Sequence, residues 1–300
     1  MTEQRLNRAT LHDWLPHRGL NLFLDEVVIA DGAKKASSTT SIGPGDPRQI
    51  FSQEYPGGVT AWYPPFLFEL LALTGVTLVK PHLAPNGVAV FSAISNAVMK
   101  APVPMFVAVR AQSELVRLRT GFHQHKAQVL VDGQECLNAD IMSGEVDSSV
   151  LAKSRTPEPL PASCTGEAVP TYPWKHPRTR FIDTVTTFDA AQGKIECAYT
   201  YPADHPFVPG HFPAGPIMMG VTQLAAACDA GIEAMRRLGL ERGTINGEIV
   251  RPSGEVVFTV KDLVMERNPI PVLHSMARCT FRALVVPGDG ILVRLTVTPA

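Results

Sequence analysis

Residues Asp204 to Gly231 read DHPFVPGHFPAGPIMMGVTQLAAACDAG. Pro206, Pro209, Pro213 and Pro216, with Gly210 and Gly215 among them, exclude regular structure as far as Ile217, because proline fixes φ and lacks an N–H. An apolar run of helix length follows. The spacing predicts a stiff loop that delivers His211 to the mouth of a buried helix. A histidine so placed is by itself an ordinary packed or surface residue, and the rest of the chain must say whether it is more.

Outward from this stretch, PRTRFIDTVTTFD (177–189) and Gly193 to Tyr201 read as strands, and Thr244 to the C-terminus is strand-rich. Between Gly144 and Tyr172 periodicity is lost and proline, serine and charge accumulate, as in a linker. Before it, Leu22 to Ile29 and Lys35 to Ile42 read as strands, and Pro64 and Pro65 suit a helix start. Strand-like segments follow near Gly87 to Ser95, Phe106 to Leu118, Gly121 to Val131 and Glu135 to Ser143, with Asp132 and Gly133 marking a hairpin.

The same plan thus occurs twice. Phe23, Asp25 and Val27 recur 158 residues later as Phe181, Asp183 and Val185, and Lys100 with Pro102 lies near the counterpart of Arg251 with Pro252. A period far above the roughly 20 to 50 residues of solenoid repeats indicates a duplicated domain. The expected division is residues 1–145, a linker over 146–172, and residues 173–300. Each half has one central helix and several strands, for which an antiparallel sheet wrapped around the helix is the economical α+β solution.

Length, 300 residues, and a hydrophobic content of 45% suffice for a large core. Five scattered cysteines without a CxxC pair argue against both a disulfide framework and structural zinc. A net charge of -1 gives no reason to expect nucleic acid, although the Arg117/Arg119 and Arg236/Arg237/Arg242 clusters could receive an acidic protein partner. The longest apolar run, Phe66 to Val79, is interrupted by Glu69, Thr74 and Thr77 and is shorter than the roughly 20 residues of a membrane span. The N-terminus has no apolar segment of the signal-peptide kind, so a cytoplasmic location is expected.

GHFPAGPIMMGV resembles the signature HFPxxPxxPGxxxxE of the hot-dog-fold β-hydroxyacyl-acyl-carrier-protein dehydratases of fatty-acid and polyketide synthesis. LPHRGLNLFLDEVV is similar to that family's opening LPHRYPFLLVDRV, and DGQECLNADIM to its closing strand, so the resemblance covers each half once. It implies a tandem, or double, hot-dog. It also implies an active site shared between two copies, one giving a histidine and, nine residues on, a glycine N–H, the other a helix carboxylate. His211 matches the histidine and Gly220 the glycine, while the carboxylate position, 225, is alanine. In the first half Glu69 falls at the carboxylate position, with Tyr55 and Pro64 where the histidine and glycine would stand. The two sets of losses are complementary: His211, Gly220 and Glu69 form one complete composite site, and Tyr55, Pro64 and Ala225 cannot form its twin. Met219 departs from the family's proline before the glycine.

By this resemblance the chain is a 3-hydroxyacyl-[acyl-carrier-protein] dehydratase of fatty-acid, polyketide or polyene biosynthesis. His211 would take the C2 proton and Glu69 would protonate the departing hydroxyl, its pKa raised by an apolar helix face. The Gly220 N–H at a helix start would stabilise enolate charge. Phe212, Pro216, Phe66 and Tyr55 are expected near the substrate. Neither metal nor redox cofactor is required; the acyl group would ride on the phosphopantetheine of an acyl carrier protein or coenzyme A. A homodimer of double hot-dogs is compatible with this plan, and neither membrane nor nucleic acid is an expected partner. Asp229, one turn beyond Ala225, is the rival acid. The His123/His125 pair is expected at the surface, and His17 and His205 in structural roles. Competing readings are a non-catalytic double hot-dog that binds an acyl carrier or partners a heteromeric dehydratase, and an enoyl-CoA hydratase or thioesterase.

Overall fold

The computed structural model describes residues 3–152, 155–267 and 269–300. At the N-terminus a reciprocal cap joins β1 (Gln4–Asn7) to α1 (Arg8–Trp14): the Asn7 side chain accepts from the N–H groups of Ala9 and Thr10, and Thr10 Oγ1 accepts from Asn7 N–H. Then come β2 (Glu26–Ala30), β3 (Lys35–Thr40), the small hairpin of β4 (Ser52–Tyr55) and β5 (Val59–Trp62), and helix α2 (Pro64–Val79). Four long strands follow, β6 (Gly87–Met99), β7 (Val109–Arg119), β8 (Phe122–Val131) and β9 (Gln134–Asp147). Short α3 (Ser148–Ala152) and β10 (Glu167–Ala168) lead to β11 (Thr184–Asp189), β12 (Lys194–Thr200) and helix α4 (Gly220–Leu238). The chain ends in β13 (Arg242–Val250), β14 (Val256–Glu266), β15 (Val272–Phe281) and β16 (Gly290–Pro299).

All strands except β4 and β5 form one antiparallel sheet of 14 strands, in the order β1-β2-β3-β7-β8-β9-β6-β15-β14-β13-β16-β12-β11-β10. The halves meet where β6 pairs with β15, from Ser275 against Val98 to Thr280 against Ala93. Helix α2 is apolar on every side, and all its residues except Ala72 and Val76 are buried, as a helix without a polar face must be. It packs on the strands of the first half and against α4. Helix α4 ends at Gly239, whose φ of 68° gives the left-handed cap that an L side chain resists. The Asp132/Gly133 turn has φ of 49° and 77°, the positive pair that a two-residue hairpin needs.

Several expectations are corrected. The segment 177–189 is a strand only over Thr184–Asp189; Pro177–Thr179 is a 3-10 turn, since proline supplies no N–H to a ladder. The loop before Ile217 holds one such turn, Val208–Gly210. The halves repeat in the sequence of their elements but not in sheet order. In the first half β7, β8 and β9 separate β3 from β6; in the second only β16 separates β12 from β13. His123 and His125 are not at the surface: each is 1% exposed, because β8 turns them to the face that α2 covers. Among the described residues no helix is long and apolar enough to cross a membrane, and all five cysteines are free.

Candidate active site

Two loops from opposite halves build the site. The 211–217 loop closes on itself: Ile217 N–H donates to the His211 carbonyl at 2.8 Å, and His211 Nδ1 lies 3.0 Å from the Ile217 carbonyl oxygen. A carbonyl only accepts, so Nδ1 carries the proton and Nε2 keeps its lone pair. The first-half loop docks against this one. Arg18 N–H donates to the Gly210 carbonyl at 3.0 Å, and Asn21 Nδ2 to the Phe207 carbonyl at 2.7 Å. Any Cβ on Gly210 would collide with the Arg18 carbonyl oxygen and the Asn21 amide, so only glycine permits this approach. The Arg18 guanidinium stiffens the docked loop by donating to the carbonyls of Leu15 and His17 at 2.7 and 2.8 Å.

The docking brings His17 to the chemistry. Its ring centroid is 5.0 Å from that of His211, and its Nε2 is 3.5 Å from Glu69 Oε1 on α2. Phe212 stacks on His211 at 4.3 Å and presents an edge to His17 at 5.0 Å. His17, Glu69 and His211 are exposed by only 4%, 2% and 6%. His17 Nδ1 and Glu69 Oε2 are buried without a hydrogen-bond partner. Burial therefore governs their charge: it pushes the Glu69 carboxyl up to about 8 and the His211 imidazole down to about 4, the latter partly offset by the bond to Ile217. His17 is held well below its ordinary value, first by burial, then by His211 and Arg18. Near neutral pH the cluster holds a protonated carboxyl beside two neutral imidazoles.

These groups line a narrow cavity of about 70 Å³ with Phe91, Phe281 and Gly220, space for roughly five waters at 10–15 Å³ each. Gly220 is the first residue of α4, where an N–H has no acceptor within the helix and the dipole is positive. A Cβ on it would lie 3.0 Å from Phe281 Cε1 and 3.3 Å from Phe91 Cδ2.

His211, Glu69, Gly220 and Phe212 thus converge on one cavity. Tyr55, Phe66 and Pro216 do not line it. Tyr55 lies on β4 with its hydroxyl 3.4 Å from Gln53 Nε2, and Phe66 turns into an aromatic cluster with Phe23 and Phe51. Asp229 is fully engaged elsewhere, accepting from Lys175 Nζ at 2.6 Å, Tyr63 Oη at 3.0 Å and Phe181 N–H at 2.9 Å. His205 accepts from Phe207 N–H at 3.3 Å and pairs with the Arg178 carbonyl at 2.8 Å, both loop-forming contacts.

His17 joins the cluster although its sequence context pointed only to loop structure. His17, Glu69 and His211 each offer one ligand atom, all within 4.8 Å of one another, and two imidazoles with a carboxylate suit a divalent ion. A metal would have to displace the proton that burial holds on Glu69.

Residues 174–299 match the family model of the FabA-like domain. No curated protein matches the sequence. Among solved structures, the dehydratase heterocomplex ApeI:P from Xenorhabdus doucetiae is similar at 12% identity and TM-score 0.39, over 46% of this chain and 92% of that one. A thioesterase from Haemophilus influenzae is similar at 16% identity and TM-score 0.31, over 40% of this chain and 78% of that one. A mutant thioesterase from Pseudomonas aeruginosa is similar at 13% identity and TM-score 0.31, over 39% and 78%. The half that carries His211 and Gly220 is thus the part of the chain that matches the FabA-like domain.

Proposed function

We propose that the protein is a tandem hot-dog, divided at 1–145 and 173–300 by the segment 146–172, that dehydrates 3-hydroxyacyl thioesters to 2-enoyl thioesters. The acyl group is carried on the phosphopantetheine arm of an acyl carrier protein. One observation carries this reading: His211 and Glu69, from opposite halves, meet in one apolar cavity with opposite protonation states near neutral pH. That is the division of labour an elimination needs.

His211 Nε2 takes a proton from C2. The electron pair moves through the C2–C3 bond as the C3–O bond breaks, and the Glu69 proton leaves with the hydroxyl as water. Charge developing on the thioester oxygen is met by the Gly220 N–H. The products are an enoyl thioester, water, an imidazolium on His211 and a carboxylate on Glu69. Return of the proton resets both groups, and His17, its ring tilted against His211 with centroids 5.0 Å apart and its Nε2 3.5 Å from Glu69 Oε1, is the titratable group beside both.

The test is incubation with 3-hydroxyacyl carrier protein, following loss of water by intact mass. Release of a free carrier thiol would make the protein a thioesterase. Tight carrier binding with neither reaction would make it a binding partner. Activity that survives exhaustive chelation supports acid–base chemistry, whereas loss restored by zinc would move the site to metal chemistry.

A further inference from the structure

The cavity continues past the reacting groups toward His125 of β8 and Ser143 of β9, with Gln223 of α4 on its wall. His125, Ser143 and Gln223 are exposed by 1%, 5% and 3%. His125 Nδ1 and Nε2, Ser143 Oγ and Gln223 Oε1 are all buried without a hydrogen-bond partner. Buried polar atoms left without a partner destabilise the fold. An acyl slot for a plain hydrocarbon chain has no use for them, and aliphatic residues would serve better.

The placement is structural. Gly75 on α2 leaves room for the imidazole: a Cβ there would lie 3.2 Å from His125 Cδ2. Gly75 lies about 9 Å along the helix axis from Glu69, at 1.5 Å per residue, so the polar end is set apart from the reacting end. Ala72 and Leu73, between them along the helix, and Val76 just beyond form the apolar wall.

We propose that the inner end of this slot binds a neutral oxygen function, a hydroxyl or keto group, on the distal part of the acyl chain, with His125 and Ser143 as its hydrogen-bond partners. The proposal rests on the dehydratase reading above and names the class of chain that reaction takes: short and oxygenated beyond C3. Neutrality follows from the lining. His125, lowered to about 4 by burial and then by His123, is an uncharged imidazole with one donor and one acceptor. Among the described residues no lysine or arginine lines the cavity to pair with a carboxylate. A neutral imidazole and a hydroxyl can each donate to and accept from a hydroxyl, or donate to a ketone, while the Gln223 amide oxygen can accept from a hydroxyl.

The test compares matched series of 3-hydroxyacyl pantetheine thioesters of increasing length, one ending in a methyl group, the other carrying a hydroxyl or ketone near the end. Wild type should prefer the oxygenated chain at one length by about tenfold or more in kcat/KM, the worth of one or two buried hydrogen bonds. His125→Leu and Ser143→Ala should each erase most of that preference while still turning over the methyl series, and His125→Gln should restore part of it. Calorimetric titration with the corresponding thioether analogues, which cannot react, reads the same preference in binding. Equal affinity for both series, or a preference that survives in both variants, overturns the proposal and leaves the polar end a hydrated pocket. Absence of turnover with a retained binding preference would instead sink the dehydratase reading and keep this site.

Discussion

The starts of α2 and α4 occupy equivalent places in the two halves and have come to opposite ends. Counting from the helix starts, Pro64 corresponds to Gly220, Glu69 to Ala225 and Leu73 to Asp229; by the 158-residue repeat, His17 corresponds to Lys175. At the first place, buried polar groups are left unpaired around a cavity. At the second, the Lys175 and Asp229 side chains are fully buried and paired at 2.6 Å. Tyr63 and the Phe181 N–H complete the carboxylate, and the ammonium lies 4.0 Å from the Tyr63 ring centroid. Pro64 has no N–H to offer where Gly220 has one. The same scaffold thus gives the proposed active site where its polar groups are unsatisfied and a structural joint where they are satisfied.

The sharpest way to break that comparison is to unpair the joint. Asp229→Ala strands Lys175, whose pKa burial already lowers, and removing one partner of a buried pair costs about 3–5 kcal/mol. Thermal melting should show a large loss for Asp229→Ala, and replacing both residues by apolar ones of similar volume, Lys175→Met with Asp229→Leu, should recover most of it. A negligible loss would mean that the joint is not structural. At the reactive place the pattern reverses: His211→Ala and Glu69→Gln should each slow turnover by about two orders of magnitude with the fold intact. Unchanged turnover in either variant removes that residue from the mechanism.

How far this was legible in the sequence follows from the same pair of places. His211, Gly220 and Glu69 were placed by the resemblance to the dehydratase signature, whose fixed counts run within one loop and along helices that both start where proline or glycine dictates. His17 was not legible, because it reaches His211 only through the Arg18 N–H to Gly210 carbonyl bond and the Asn21 to Phe207 bond, between segments about 190 residues apart. Such contacts leave no period. His125 did leave one: His123, His125, Ala127 and Val129 alternate on one face of β8, and the inward position of Ala127 and Val129 implies burial of both histidines. Sheet order was invisible, since both halves run strand, strand, helix, strands while pairing those strands differently. The expected contacts of Tyr55, Phe66 and Pro216 failed for a related reason: nearness to a motif does not fix the direction of a side chain.

Protonation gives a pair of smaller tests. With His211 near 4 and Glu69 near 8, kcat/KM should be flat between those values, falling above about 8 as Glu69 ionises and below about 4 as His211 charges. For stability, Glu69 rises from an ordinary 4.5 to about 8 on folding. Its contribution is fully present below pH 4.5 and is lost as pH rises through about 8. Glu69→Gln has no such loss, so its melting temperature should exceed that of the wild type by a margin that widens across this window by several degrees. The lowered histidines act oppositely, losing stability as pH falls below about 6.5, for His211 through about 4. They are common to both proteins, so the difference isolates Glu69. A margin independent of pH would show that Glu69 is not held protonated.

The smallest expected effect concerns Gly220, where the comparison is between a donor that the second half keeps and one that Pro64 removes from the first. Gly220→Ala keeps the N–H, so charge stabilisation survives; what changes is space. The new methyl group would stand 3.0 Å from Phe281 and 3.3 Å from Phe91, rings 5.2 Å apart that close the cavity from the two sides of the β6–β15 seam. These rings can give by a few tenths of an ångström, so folding should be nearly unaffected. The cavity narrows beside the reacting groups, and the cost should appear as a severalfold rise in KM with kcat little changed, the signature of lost uniform binding rather than lost transition-state contact. Gly220→Pro repeats the change that the first half carries. It removes the N–H, so its additional loss over Gly220→Ala should fall in kcat. If both variants lower kcat alike, Gly220 serves packing and the donor lies elsewhere.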